Sequence, residues 1–309
     1  MRNAFNKTLS FLAENDPRIV FLTADLGFQI FDEFKERFGN RYVNVGVAEA
    51  QMINAAAGLA LEGYKPIVYS IASFLLRRSY EQIKLSIGYH ELPVVIIGAG
   101  GGFTYSVNGP SHHCPDDLSL MSLIPGMTVV APGSPQELED ILCQVLNNKN
   151  PTYIRIGKFG EINYNAVDKV QLSKMRCIRK GSNTAFLTTG DTVSLVIQLF
   201  EKLKEFKIEP TLFQIHTIKP IDLEEFKRKF KDIETVIIVE ECTSMGGLSS
   251  FVKECIDLCN LTIKLFRFGP SDNLALGNPS KNELRKRYGY DLNQLIDFSN
   301  KFFNIKMKN

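Results

Sequence analysis

Short, almost wholly apolar runs recur along this chain, each followed by a longer stretch with helical periodicity. Arg18 to Thr23 (RIVFLT), Pro66 to Tyr69, Pro93 to Gly98 (PVVIIG), Met127 to Ala131 and Pro151 to Ile156 are runs of this kind. Between them, helices are expected over 2–15, 31–38, from near Ala48 to near Gly63, and over 73–88, 118–123 and 135–146. The first has Phe5, Leu9, Phe11 and Leu12 on one face. Asp116 and Asp117 are placed to cap the helix at 118–123. Apolar runs too short for a helix, alternating with amphipathic stretches, imply βαβ units: a mostly parallel sheet buried between helical layers. A second series begins near Thr184, with strands at 185–190 (AFLTTG), 210–215, 235–240 and 261–267. Its helices are expected over 192–206, 223–231, 248–259 and 281–305, and residues 218–222 read as a turn. The expected fold class is therefore α/β, two domains over 1–160 and 184–309, each a mostly parallel sheet flanked by helices. Residues 161–183, polar and irregular, read as a linker.

Composition narrows the function classes. A net charge of +2 leaves no excess of base to neutralise a polyanion, so nucleic-acid binding is not expected. No apolar run approaches the roughly 20 residues of a membrane span. The N-terminus, an amphipathic helix, lacks the apolar core of a signal peptide, so a cytoplasmic protein is expected. Six cysteines are scattered without CxxC spacing. Cys255 and Cys259 lie four apart, but no histidines complete a ligand set, so reduced thiols and no protein-held metal are expected. The glycine-rich segment at 98–102 lacks the order of a dinucleotide loop. The basic residues Lys281, Arg285, Lys286 and Arg287 read as a solvated helix face.

The stretch Arg41 to Met52 (RYVNVGVAEAQM) carries the strongest chemical signal. A strand over Tyr42 to Val45 runs into a helix whose face is built of small residues, Ala55 to Gly58 and Ala60. One carboxylate, Glu49, stands on its first turn. Such an acid either compensates the helix dipole at the surface or is buried to exchange a proton with a bound group.

Val45 to Met52 resembles the VGIAEQxM segment of transketolases, and other motifs follow in the same order. They are LTADLG, AAAGLALEGYKPIVYS, SFLLRRSYEQIK, NGPSHH with DDLSLM, PGMTVVAP, and in the second half IKPID and VEECTSMGGLSS. On this resemblance the chain is identified as a member of the transketolase family, carrying its pyrimidine-binding and C-terminal domains. The resemblance implies thiamine diphosphate as cofactor. Glu49 falls on the acid that contacts the cofactor's aminopyrimidine, and Phe74 on the aromatic that stacks on it. Ile71 stands where a second aromatic is usual, and Arg77 follows on the same helix, able to reach the mouth of the site. His112 falls on the histidine that hydrogen-bonds substrate oxygens. His113 replaces a usual glutamine and receives no role.

Departures bear on substrate. Asn108 stands where most members have an aspartate, Gly100 where transketolases have a histidine, and Lys158 where an arginine grips the sugar phosphate. Gln29 replaces a phosphate-contacting serine, while Arg2 matches the other phosphate arginine. An unusual ketose or acceptor is expected. The sequence has no GDG motif, which in the family precedes an asparagine and holds Mg²⁺ with the diphosphate. The resemblance thus implies a split enzyme: a separate N-terminal subunit bearing GDG…N holds diphosphate and metal, in an α₂β₂ assembly. Two other enzymes share this plan, the β subunit of a 2-oxoacid dehydrogenase and a deoxyxylulose-phosphate-synthase-like ligase. A non-catalytic partner protein is the remaining alternative.

Overall fold

The computed structural model describes residues 1–158 and 160–308. Its first half alternates as expected. Helix α1 (Arg2–Asn15) leads to β1 (Ile19–Thr23), α2 (Asp32–Phe38), β2 (Tyr42–Asn44), α3 (Glu49–Leu61), β3 (Lys65–Ile71) and α4 (Ala72–Gln82). Then come β4 (Val95–Ala99), α5 (Asp117–Ser122), β5 (Thr128–Val130), α6 (Pro135–Val145) and β6 (Thr152–Ile156). These strands pair in parallel, in the order β5-β6-β4-β3-β1-β2.

The strands read as continuous apolar runs because both faces are covered. On β1, Ile19 and Phe21 face one core with Phe5, Phe31, Phe34, Tyr69, Ile141 and Leu142. Val20 and Leu22 face another, with Met52, Ile53, Leu75, Leu76 and Leu118 from α3, α4 and α5. That second core continues without interruption into Phe213, Phe226, Phe230 and Ile238 of the other half.

The second half holds β7 (Arg176–Arg179), β8 (Thr184–Thr188), α7 (Val193–Lys204), β9 (Thr211–Gln214), β10 (Thr217–Lys219), α8 (Leu223–Phe230) and β11 (Thr235–Val239). It ends with α9 (Leu248–Leu258), β12 (Lys264–Phe268), α10 (Lys281–Arg287) and α11 (Leu292–Phe303). Its sheet runs β12-β11-β8-β9-β7, parallel except for β7, which pairs antiparallel with β9.

Two strands depart from the sequence reading. The stretch read as an irregular linker, 161–183, contains β7, the edge of the second sheet. The turn read at 218–222 begins with β10, which crosses to the first sheet and pairs antiparallel with β5, Thr217 opposite Val130 and Lys219 beside Val129. The Lys219 ammonium then ties down the Ser122 and Ile124 carbonyls, at 2.8 and 2.7 Å. The first sheet thus has seven strands among the described residues, one supplied by the second half. Among the described residues, no helix is long and apolar enough to cross a membrane.

Candidate active site

Chemistry gathers where β1, β2, β3, β4 and β6 end, the edge at which parallel sheets bind ligands. The Asn44 side chain, at the end of β2, accepts the N–H groups of Asp25 (2.9 Å) and Gly46 (3.0 Å). Gly46, at φ +73°, turns the chain so that α3 starts at Glu49. The carboxylate sits in the first turn, where the helix dipole favours an anion, yet it is only 4% exposed. It is therefore a buried acid and not a surface one. A buried carboxylate needs a partner, and Arg78 supplies it, its Nη1 lying 2.9 and 3.2 Å from the two oxygens.

Arg78 also lies over an aromatic ring, its guanidinium carbon 4.3 Å from the centroid of Phe74. The two residues are one helical turn apart on α4. The helix kinks immediately afterwards, at Ser79 (φ −131°, ψ 23°), whose hydroxyl bonds back to the Leu75 carbonyl, and a π-helical turn follows over Ile83–Gly88. On its other side the Phe74 ring meets His112 edge-on at 4.8 Å.

His112 belongs to a loop closed at its base by paired backbone bonds between Gly102 and Cys114 (2.7 and 2.8 Å). Its N–H reaches the Gly109 carbonyl at 3.0 Å, and Ser111 Oγ lies 3.0 Å from its Nδ1. Burial, with the charges of His113 and Arg78, holds the imidazole below its ordinary pKa of 6.5, against an opposing hydrogen bond to the Asn108 backbone. His112 is thus neutral near pH 7. His113 is buried, donates Nε2 to the Ser106 carbonyl (3.0 Å) and packs edge-on to Phe103, a structural role.

Tyr105, in the same loop, stands between His112 and Lys158. Its ring centroid is 6.0 Å from that of His112 and 4.8 Å from the Lys158 ammonium. Arg2 approaches from α1, its Nε donating to the Lys158 carbonyl at 3.2 Å. Asn108 and Lys158 line a cavity of about 360 Å³ that the second half closes with Asp191, Lys281 and Arg285. The glycine-rich segment behind them is not a phosphate cradle. A Cβ at Gly101 would strike Asp117, and one at Gly102 would strike Glu241, both at 2.5 Å, so these glycines admit side chains.

Glu49, Phe74, His112, Asn108, Lys158 and Arg2 thus form one connected rim, with Ile71 half-buried at the junction of β3 and α4. Two expected residues stand apart. Arg77 pairs with Asp116 at 2.8 Å, while its neighbour Arg78 is the arginine that meets Glu49. Gln29, exposed at φ +63°, lines a separate groove of about 440 Å³ beside α1. Three further readings change. Asp117 is no cap: fully buried, it accepts from Tyr153 Oη (2.6 Å) and Arg155 Nε (2.8 Å). Lys281 and Arg285, read as solvated, turn inward to Asp191 and Glu241. Sequence reading also passed over Tyr105 and Arg78; for Arg78, the i, i+4 spacing from Phe74 is a usable signal.

Comparison with known proteins identifies both halves of the chain. The family model for the transketolase pyrimidine binding domain matches residues 1–159, and that for the transketolase C-terminal domain matches 173–295. The chain is 32% identical over 299 residues to the 6-deoxy-6-sulfo-D-fructose transketolase subunit SqwH of Clostridium sp. (strain MSTE9), covering 96% of this chain and 92% of that one. An apulose-4-phosphate transketolase subunit of Actinobacillus succinogenes is 34% identical over 269 residues, 86% of each chain. A solved structure, described as a split gene transketolase forming an inactive beta4 tetramer, superposes with a TM-score of 0.86 at 26% identity, covering 99% of this chain and 98% of that one. With both of its halves matched, the chain belongs to the transketolase family, of which it carries the pyrimidine-binding and C-terminal domains.

Proposed function

We propose that this chain is the C-terminal subunit of a split transketolase that uses thiamine diphosphate to move a two-carbon ketol unit from a ketose to an aldehyde or sugar acceptor. One observation carries the reading. The Arg78 guanidinium, a flat group bearing N–H donors, rests on Phe74 while bonded to the buried Glu49 carboxylate. An aminopyrimidine is also flat, nitrogen-bearing and able to bond a carboxylate, so the residues present fit it. When bound, the cofactor supplies a carbanion equivalent at its thiazolium carbon.

The chain's own residues do the rest. Glu49, buried away from water, would hold or share a proton with the cofactor's aminopyrimidine at a carboxylate oxygen. Phe74 offers the ring a face. Neutral His112 exchanges a proton with a ketose hydroxyl at Nε2, while Nδ1 stays with Ser111. Asn108 reads a neighbouring hydroxyl, and Lys158 with Arg2 attracts an anionic terminus. Lys158 meets such a group as a point charge, without the paired donors of an arginine.

The sequence lacks the GDG motif with which the family holds diphosphate and Mg²⁺, so these are assigned to a partner bearing GDG…N, in an α₂β₂ assembly with the site between chains. The enzyme works in the cytoplasm, a setting consistent with six free cysteines.

The test is calorimetry with thiamine diphosphate and Mg²⁺, on this chain alone and then co-expressed with the candidate partner. Binding only in the presence of the partner is expected, with two-carbon transfer following. Tight binding by the isolated chain would refute the split.

A further inference from the structure

The position of Tyr105 is possible only because residue 100 is glycine. A Cβ on Gly100 would lie 2.1 and 2.2 Å from Cε2 and Cδ2 of the Tyr105 ring, far inside contact distance. Gly100 also stands at φ +73°, and its N–H bonds the Ile156 carbonyl at 2.7 Å, so the backbone there is held against β6. The ring is held from its own side too: Asn108 N–H bonds the Tyr105 carbonyl at 2.9 Å, above the paired bonds that close the loop.

The ring is 9% exposed, and what it exposes is cavity wall. A phenol in the lining of a cavity is placed to exchange a hydrogen bond with a ligand's polar group. The wall stands between His112 and Lys158, at 6.0 and 4.8 Å from the ring centroid.

We propose that Tyr105, seated in the space left by Gly100, determines donor specificity: it is the wall along which a ketose with an anionic terminus must lie. The carbon chain packs on the ring and one hydroxyl bonds the phenol, with the reacting end toward His112 and the anion toward Lys158. This rests on the transketolase reading above. A short donor that does not extend past His112 makes none of these contacts, so Tyr105 discriminates by chain length and by the hydroxyl it faces. The residue acts by binding and moves no proton.

The experiment uses the reconstituted two-subunit enzyme with Tyr105→Leu, Tyr105→Phe, Gly100→Ala and the double variant Gly100→Ala/Tyr105→Leu. The donors are xylulose 5-phosphate, fructose 6-phosphate and hydroxypyruvate. Tyr105→Leu is expected to lower kcat/KM for the phosphorylated ketoses relative to hydroxypyruvate by about tenfold, through KM. Gly100→Ala displaces the ring and should shift the ratio the same way, and the double variant should be no worse than Tyr105→Leu. Tyr105→Phe preserves the packing and isolates the phenol, so the test stands even if the leucine variant does not fold. If the wild-type complex transfers from donors but every variant keeps their ranking within about twofold, the role of Tyr105 is refuted alone. A wild-type complex that takes a two-carbon unit from no donor would overturn the transketolase reading and this proposal together.

Discussion

Acid should loosen this protein through one histidine at the junction of its halves. His216 is fully buried just before β10, and its carbonyl accepts the Ala131 N–H at 2.7 Å. Its Nδ1 lies 2.9 Å from Thr217 Oγ1, and among the described residues Nε2 has no hydrogen-bond partner. Burial drives the imidazole down to about 4. Glu137 on α6 opposes this, while Arg176 on β7 and Lys229 on α8 add to it. Because the folded pKa lies below the unfolded one, the unfolded chain binds more protons between these values. His216 therefore contributes its full stability above pH 6.5 and loses it as pH falls toward 4. A gap of two to three units corresponds to about 3 kcal/mol in all, of which about 2 kcal/mol is already lost at pH 5. The assay is urea unfolding followed by circular dichroism at pH 7.5, 6, 5 and 4.5, for the wild type and His216→Gln. Subtracting one curve from the other removes the carboxylates common to both. The wild type should lose about 2 kcal/mol more than the variant between pH 7.5 and 5. Parallel pH profiles would refute the argument.

Three other outcomes are expected. Glu49→Gln should reduce transfer by the reconstituted enzyme roughly a hundredfold or more, while size-exclusion chromatography still shows the complex. The depressed pKa of His112 predicts an acid limb of kcat/KM below pH 6.5, since the imidazole acts when neutral, and His112→Asn should abolish that limb along with most of the activity. Asp117→Asn leaves the buried Arg155 without its counter-charge and should cost about 3–5 kcal/mol, read as a fall in the urea midpoint.

The fold was legible because hydrophobic pattern reports burial directly: RIVFLT and PVVIIG are covered on both faces and look it. From the residue pattern alone Glu49 was legible as a choice between two environments; the resemblance favoured the buried one, and the carboxylate is buried. The unread parts share a physical cause, in that their meaning lies across long sequence separations. Three residues followed by a proline look like a turn, and β10 is a strand only because β5 lies beside it, nearly ninety positions upstream. Tyr105 has no periodicity to betray it, and its significance lies in the missing Cβ of Gly100. Arg77 and Arg78 are adjacent and chemically alike, so only the helix phase before the kink at Ser79 separates the one that meets Glu49. Lys281 and Arg285 look solvated until Asp191 and Glu241 are brought beneath them.

The crossing of β10 also governs how the protein is made. The sheet that carries Glu49, Phe74 and His112 has β5 as its outermost strand until Thr217–Lys219 arrives. During translation, residues 1–158 leave the ribosome with that edge bare, a template for pairing with other nascent chains. The seal comes only when some sixty further residues have emerged, by which time β7, β8 and β9 of the other sheet are already available. The first sheet is therefore complete only once the second half has been made, and the two halves cannot be separated without baring β5.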